Sequence, residues 1–252
     1  MGKVYFIGAG PGDPELITIK GMNKVKEAGM IIYAGSLVNS EILQYNENDA
    51  EVYNSAGMTL EEVISKLLEG IKKYEIVTRI HTGDPSIYGA IREQMDLLDE
   101  HHIEYEVIPG VSSFVASAAA INKEFTLPGV SQTVICTRIE GKTSVPEKEK
   151  LERLASHEAS MAIFLSVHMI DEVVEALIKK YPPSTRVAVI QRATWEDQKV
   201  VIGTLSNIAE KVKAANINKT AQILVGHFLG DEYEFSKLYD KNFSHEYRRM
   251  IK

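Results

Sequence analysis

The chain holds a single cysteine, Cys136, in 252 residues. One thiol builds no disulfide framework, so a reducing, cytoplasmic setting is the expectation. Cys136 ends the run Thr133-Val134-Ile135-Cys136 and reads as a small core residue, not a nucleophile. No apolar run approaches the ~20 residues of a membrane span, so no membrane association is expected. The N-terminus, Met1-Gly2-Lys3-Val4-Tyr5-Phe6-Ile7, enters a strand pattern directly, so no signal peptide is expected. Positive charge is in deficit: 28 Lys and Arg against 35 Asp and Glu, a formal net charge of −7. That argues against a general nucleic-acid binder and leaves room for a local basic pocket. Metal-ligand spacing is missing as well. The seven histidines include no H-x-x-x-H and have no cysteine partner, and adjacent His101 and His102 point apart into solvent, so no metal site is expected. There is no G-x-S-x-G elbow, and there are no heptads or repeats of 20–50 residues.

What is present is an ordinary globular composition, 44% hydrophobic and 25% charged, with strands and helices in alternation. Val4 to Ile7 reads as a strand. A helix follows carrying Leu16, Ile17, Ile19, Met22 and Val25, then strands Met30–Tyr33 and Glu51–Tyr53. Leu60, Val63, Ile64, Leu67, Leu68 and Ile71 line one face of a helix over 59–73. Thr59 and Glu62 make its capping box. Glu75 to Ile80 is a buried strand, and the spacing predicts a helix starting near Pro85 and running through Leu98. Strand Tyr105–Ile108 leads to a small-residue helix over 114–121. The alternation then restarts with strands over 131–138 and 160–165, helices over 147–156 and 169–181, and strand Arg186–Gln191. Lys199–Gly203 reads as an antiparallel hairpin partner, followed by a helix over 206–215 and a strand over 221–225.

This order predicts an α/β protein of two domains with a cleft between them. The N-terminal domain, residues 1–120, carries a mostly parallel sheet. The C-terminal domain, 121–230, carries a mixed one. Residues 231–252, charged and rich in Tyr and Phe, read as an ordered extension.

Candidate chemistry sits in loops that follow strands. Gly8-Ala9-Gly10-Pro11-Gly12-Asp13-Pro14 looks like a dinucleotide fingerprint but places Asp13 at the third glycine. The next strand ends in Ala34-Gly35-Ser36, with no acid to hold a ribose. Pro11 and Pro14 also remove N–H donors that a pyrophosphate needs, and no Walker A lysine closes the loop. Thr82-Gly83-Asp84-Pro85-Ser86-Ile87-Tyr88-Gly89 is the stronger candidate. Asp84 before Pro85 is a helix-opening pair, and ligands of open α/β sheets bind at strand carboxyl ends. Pro109–Ser113, Leu165–Val167 and Gln191–Trp195 add three more loops, with Ser112, Ser113 and Ser166 as hydrogen-bonding groups. The pattern suits a site for a ligand of appreciable size.

These same motifs resemble, in order and over nearly the whole chain, those of the tetrapyrrole methylases. The opening signature is Val4 to Thr18 followed by Lys20-Gly21. Thr82-Gly83-Asp84-Pro85 with Tyr88-Gly89 is similar to the second, and Pro109 to Ser113 to the third. Gly203-Thr204-Leu205 and Ile223-Leu224-Val225-Gly226 continue the likeness. Tyr33 to Val38, Ser55 to Leu60, His81 to Pro85, Gly89 to Met95 and Ala193-Thr194-Trp195 are most similar to the branch that methylates precorrin-4, with or without cobalt, at C11 during cobalamin formation. The uroporphyrinogen III branch has an Asp where this chain has Ala34, so no proton-accepting role carries over.

The resemblance implies S-adenosylmethionine as methyl donor, a precorrin substrate and a homodimer. Carried over by position, the donor contacts are Pro11, Thr82, Gly83, Asp84, Ile87, Ser112, Ser113, Leu165, Ser166, Ala193 and Ala221. Gly10, Asp13, Ser36, Met58, His81 and Tyr88 face the substrate. Lys20, Arg79, His81, Arg92, Arg138 and Lys142 are the candidate cations for its carboxylates. No general base is implied.

Overall fold

The computed structural model describes residues 2–240, 243, 244 and 246. The chain divides into two compact units, Met1–Ala116 with Arg192–Gln198, and Ser117–Gln191 with Lys199 onward. The last part of the expected C-terminal extension, residues 241, 242, 245 and 247–252, lies outside the described residues.

The first unit is built on strands β1 (Lys3–Gly8), β2 (Met30–Tyr33), β3 (Glu51–Asn54), β4 (Ile76–His81) and β5 (Tyr105–Ile108), with helices α1 (Ile19–Glu27), α2 (Leu60–Lys73), α3 (Arg92–Glu100) and α4 (Ser113–Ala120), the last spanning the division. All strand pairs are parallel, in the order β3-β2-β4-β1-β5. Successive side chains of a strand point to opposite faces. Val4, Phe6, Met30, Ile32 and Val77 therefore pack with Val63, Ile64, Leu67 and Ile71 of α2 and Leu98 of α3. Ile7, Ile31, Ile80 and Ile108 pack the other way, with Val25 of α1. Covering both faces is what allows parallel strands to be apolar without a break. The capping box of α2 forms: Glu62 N–H donates to Thr59 Oγ1 at 3.3 Å, and Thr59 N–H to Glu62 Oε2 at 2.7 Å.

The second unit carries β6 (Val134–Arg138), α5 (Leu151–Ala155), β7 (Ser160–Phe164), α6 (Ile170–Ile178), β8 (Arg186–Gln191), β9 (Lys199–Thr204), α7 (Ile208–Ala214) and β10 (Ala221–Val225). Its sheet order is β6-β7-β10-β8-β9. Only β6 and β7 pair in parallel. β10 runs antiparallel between β7 and β8, and β9 is the expected antiparallel partner of β8. Met161, Ile163, Val187, Val189, Ile223 and Val225 form its core with Val173 and Leu177 of α6 and Ile208 and Val212 of α7. Cys136 corrects the sequence reading: it is exposed. β6 is an edge strand, and the neighbouring Thr137 takes the buried position there.

Residues 192–198 connect β8 to β9, yet they group with the first unit. The bonds that hold them are long-range. Trp195 Nε1 donates to the Pro11 carbonyl at 3.0 Å, and the Asp13 N–H donates to Thr194 Oγ1 at 2.9 Å. The Arg192 guanidinium lies 3.9 Å from the indole centroid, and its Nε donates to Asp197 at 2.6 Å. Arg192 and Thr194 both have positive φ, 50° and 72°, which non-glycine residues adopt only when the surroundings enforce it. The indole sits where a side chain at Gly12 would be, since a Cβ there would lie 2.1 Å from Trp195 Cδ1. Trp195 is the only tryptophan, so its fluorescence reads this contact directly. Gly12→Ala is expected to displace the indole into water and shift the emission maximum to longer wavelength. Trp195→Phe leaves the Pro11 carbonyl without its donor and is expected to cost about 1 kcal/mol, measured by urea denaturation followed by circular dichroism.

Candidate active site

A parallel sheet brings every strand's carboxyl end to one edge, and most of the first unit's candidate residues follow those ends. Gly8 is in register with His81, and Ile7 with Ile108, so the loops after β1, β4 and β5 start side by side. Gly10 and Gly83 form a bridge: Gly83 N–H donates to the Gly10 carbonyl at 2.8 Å, and Gly10 N–H to the Gly83 carbonyl at 3.3 Å. A Cβ on Gly8 would lie 2.6 Å from the Gly83 carbonyl oxygen, and one on Gly110 only 2.2 Å from it. The three loops thus touch backbone to backbone, which no larger residue permits.

Asp84 ties the second loop to the third. Its Oδ2 accepts from the Gly110 N–H at 2.9 Å, and its Oδ1 accepts from the Ser86 N–H at 2.8 Å and from the Ser86 hydroxyl. Partial burial works to raise the carboxyl pKa, but the bonds from Ser86 and Gly110 outweigh it and hold it below the ordinary value. The expected helix at Pro85 is absent. Residues 85–88 form a turn, and α3 begins only at Arg92. Tyr88 and Ala90, at φ 55° and 49°, stop a right-handed helix from propagating through the loop. Asp84 therefore caps a turn and a neighbouring strand end, not a helix, and both of its oxygens are engaged within the chain.

Pro11 and Gly83 are buried, Thr82 and Ile87 are half-buried, and Tyr88 is 47% exposed. Ser112 is buried, and Ser113 opens α4. Ser36, after β2, is exposed, whereas Met58, after β3, packs partly against the apolar core. Ala34 keeps its place in the backbone, donating to the Ile80 carbonyl at 3.1 Å.

In the second unit, Leu165 and Ser166 follow β7, and Ala221 begins the antiparallel β10 at the same sheet end, in register with Gln191. Leu165 is 60% exposed with φ 52°, an apolar side chain turned outward on an unfavourable backbone. Ser166 is buried, and its hydroxyl is committed: it donates to the Phe164 carbonyl at 2.5 Å and accepts from the Ile139 N–H at 2.9 Å. Ala193 is buried in the segment that groups with the first unit.

The candidate cations separate into distinct classes. Lys20 pairs with Glu106, and Arg92 with Asp96 at 2.7 Å. Arg138 donates to the carbonyls of Ile139, Thr143 and Ser144 at 3.2, 3.1 and 2.7 Å, and so shapes its own loop. Lys142 is exposed. Arg79 and His81 are buried on the same face of β4. Sequence reasoning assigned no individual contact to Asn39, whose Nδ2 donates to the Gly12 carbonyl at 3.0 Å, nor to Gln94, and placed Thr194 and Trp195 only in a candidate loop. Asn39, Thr194 and Trp195 lie 27, 181 and 184 positions from the partners they hold, so no local signal marks those contacts; Gln94 is only four residues from Ala90, but its tie to Arg79 spans 15.

His81 Nε2 is buried without a hydrogen-bond partner among the described residues. Burial, and secondarily the charge of Arg79, pushes the imidazole down to about 3 from 6.5. The folded chain holds it neutral, while the unfolded chain takes up the proton below about 6.5. Its contribution to stability is complete above that pH and falls as the pH drops from there toward 3. His81→Asn is therefore expected to flatten the dependence of Tm on pH between about 6.5 and about 4, measured by thermal denaturation across that range.

The sequence signature described as Tetrapyrrole (Corrin/Porphyrin) Methylases matches residues 3–209. The cobalt-precorrin-4 C(11)-methyltransferase of Methanocaldococcus jannaschii is 58% identical over 252 residues, 99% of this chain and 97% of that protein. The X-ray structure of a cobalamin biosynthetic enzyme, cobalt precorrin-4 methyltransferase, matches with a TM-score of 0.88 and 43% identity, over 91% of this chain and 96% of that one. Uroporphyrin-III C-methyltransferase of Thermus thermophilus, solved with S-adenyl homocysteine, matches with a TM-score of 0.77 and 25% identity, over 90% and 99%. Two α/β sheets, one parallel and one mixed, with glycine loops at the strand ends and these likenesses running nearly end to end, make the chain a member of the tetrapyrrole (corrin/porphyrin) methylases.

Proposed function

We propose that the chain transfers a methyl group from S-adenosylmethionine to C11 of cobalt-precorrin-4 in cobalamin biosynthesis. The observation that carries this is the 58% identity over 99% of the chain to a protein of that activity. Ala34, in place of the acid of the uroporphyrinogen III branch, supports a precorrin over uroporphyrinogen III. The reading includes a cytoplasmic homodimer, which light scattering tests for assembly.

The donor contacts we propose are Pro11, Thr82, Gly83, Asp84, Ile87, Ser112, Ser113 and Ala193, together with Leu165, Ser166 and Ala221 of the second unit. Gly10, Asp13, Ser36, Met58, His81 and Tyr88 are the proposed substrate contacts. The chemistry of these side chains fits a donor of this kind. They are small or weakly polar, and the one carboxylate among the donor contacts turns its oxygens to Gly110 and Ser86. Bound S-adenosylmethionine supplies a methyl group already activated on a sulfonium sulfur. An electron-rich ring carbon needs no protein nucleophile to accept it. The protein's task is to align the two and exclude water, and proximity can contribute roughly 7–11 kcal/mol. Positive charge disperses as the methyl leaves sulfur, so weakly polar loops serve better than fixed carboxylates. Ser112 and Ser113 would orient the donor through hydrogen bonds. The Asp84 link to Gly110 would keep the Thr82 and Ser112 loops at a fixed spacing.

Incubation with methyl-labelled S-adenosylmethionine and cobalt-precorrin-4 should place label in the corrinoid, and uroporphyrinogen III should receive none. A protein that neither transfers label nor binds S-adenosylhomocysteine in a calorimeter would rule the reading out. Asp84→Ala removes charge-assisted hydrogen bonds worth about 1.5–3 kcal/mol. If the loop spacing sets donor affinity, S-adenosylhomocysteine should bind about tenfold more weakly or worse. A folded Asp84→Ala variant with unchanged affinity would remove this loop from the donor site.

A further inference from the structure

β4 carries a charge into the interior. Arg79 is 7% exposed. Its Nε donates to Gln94 Oε1 at 3.2 Å, and its Nη1 to the Ile80 carbonyl at 3.4 Å. Both acceptors are neutral, and no carboxylate pairs with this guanidinium among the described residues. Burial lowers its pKa to about 10, so it stays charged. Burying an ion in this way is costly, and a well-packed apolar side chain of similar volume often serves stability as well or better. Stability therefore gives no reason for an arginine here.

Gln94 gives one. It is 5% exposed and is the first turn's inward residue on α3. A primary amide has an acceptor end and a donor end. Arg79, a donor only, takes the oxygen and so directs the other end outward. Gln94 Nε2 then donates to the Ala90 carbonyl at 2.9 Å. Ala90 and Tyr88 hold positive φ, a backbone state that persists only where its surroundings enforce it. The near end of the same loop is held by Asp84 on Gly110. Residues 82–90 are thus pinned at one end by a carboxylate and at the other by an oriented amide.

We infer that Arg79 and Gln94 are positioning residues for the methyl-donor loop Thr82–Gly89: Arg79 orients the Gln94 amide, and that amide holds the loop's far end in its left-handed turn. The inference rests on the proposed donor site. Neither residue need touch the donor or the substrate.

The test separates positioning from general support of the fold. Gln94→Glu keeps an acceptor for Arg79 and provides its missing counter-ion, but sets an oxygen against the Ala90 carbonyl. Arg79→Met removes the buried charge and leaves Gln94 free to turn. Both variants should melt at or above the wild-type temperature. Both should bind S-adenosylhomocysteine about tenfold more weakly by calorimetry, with the donor KM raised more than kcat is lowered. Arg79→Lys, which keeps a donor for Gln94, should recover part of the affinity lost in Arg79→Met. Wild-type affinity in either folded variant would overturn the inference while leaving the methyltransferase reading intact. So would an affinity that falls only in step with the melting temperature. Failure of the wild-type protein to bind S-adenosylhomocysteine would instead overturn the reading on which the inference rests.

Discussion

Asp84 spans a gap that the sheet itself leaves open. β4 and β5 are not neighbours, because β1 lies between them. A bond from the loop after β4 to the loop after β5 has to cross the end of β1, where Gly8 stands. The Asp84–Gly110 hydrogen bond makes that crossing, and the lack of side chains at Gly8 and Gly110 lets the three backbones come close enough. Much else follows from this contact. The Gly10–Gly83 bridge fixes the first loop against the second. Asn39 and Trp195 then hold the first loop from its outer side through the Gly12 and Pro11 carbonyls. The carboxyl edge of the first sheet is a set of backbone segments held by a few side chains, most of them distant in sequence.

The electrostatics take the same form. Although the protein is acidic overall, several of the candidate cations are already engaged. Lys20 and Arg92 are spent on carboxylates, and Arg138 on its own loop's carbonyls. His81 is held neutral by burial and by Arg79, so below neutral pH it opposes folding instead of offering a cation. Arg79 remains the buried charge with neutral partners, and its directional effect on Gln94 is the clearest use for it. What the strand ends present is weakly polar, which suits transfer of a methyl group from a cation that loses its charge in the reaction.

Much of this was legible in the sequence because it follows from short-range rules. Alternating apolar runs located the ten strands among the described residues, and Thr59 with Glu62 set the start of α2. The loops that matter follow strand ends, where glycine and serine are visible at a glance. Two readings failed for one reason: they treated a residue by its local pattern. Asp84-Pro85 looks like a helix opening, but Tyr88 and Ala90 turn left-handed and Asp84 is drawn to Gly110. Cys136 sits in an apolar run, but on an edge strand with its side chain turned to solvent.

The sequence by itself determined the two α/β units, the parallel and mixed sheets, the glycine loops at their strand ends and the membership in a family of methylases. Those depend on side-chain period, turn chemistry and motif order, all of which are local or linear in the chain. Only the tertiary structure decided how the loops are held. It joined Trp195 to Pro11 across 184 positions and Thr194 to Asp13 across 181. It also brought Asp84 to Gly110 and Arg79 to Gln94. Hydrogen bonds of this kind need a donor and an acceptor within about 3 Å, and no pattern along the chain encodes that distance until the sheet has set the strand ends side by side.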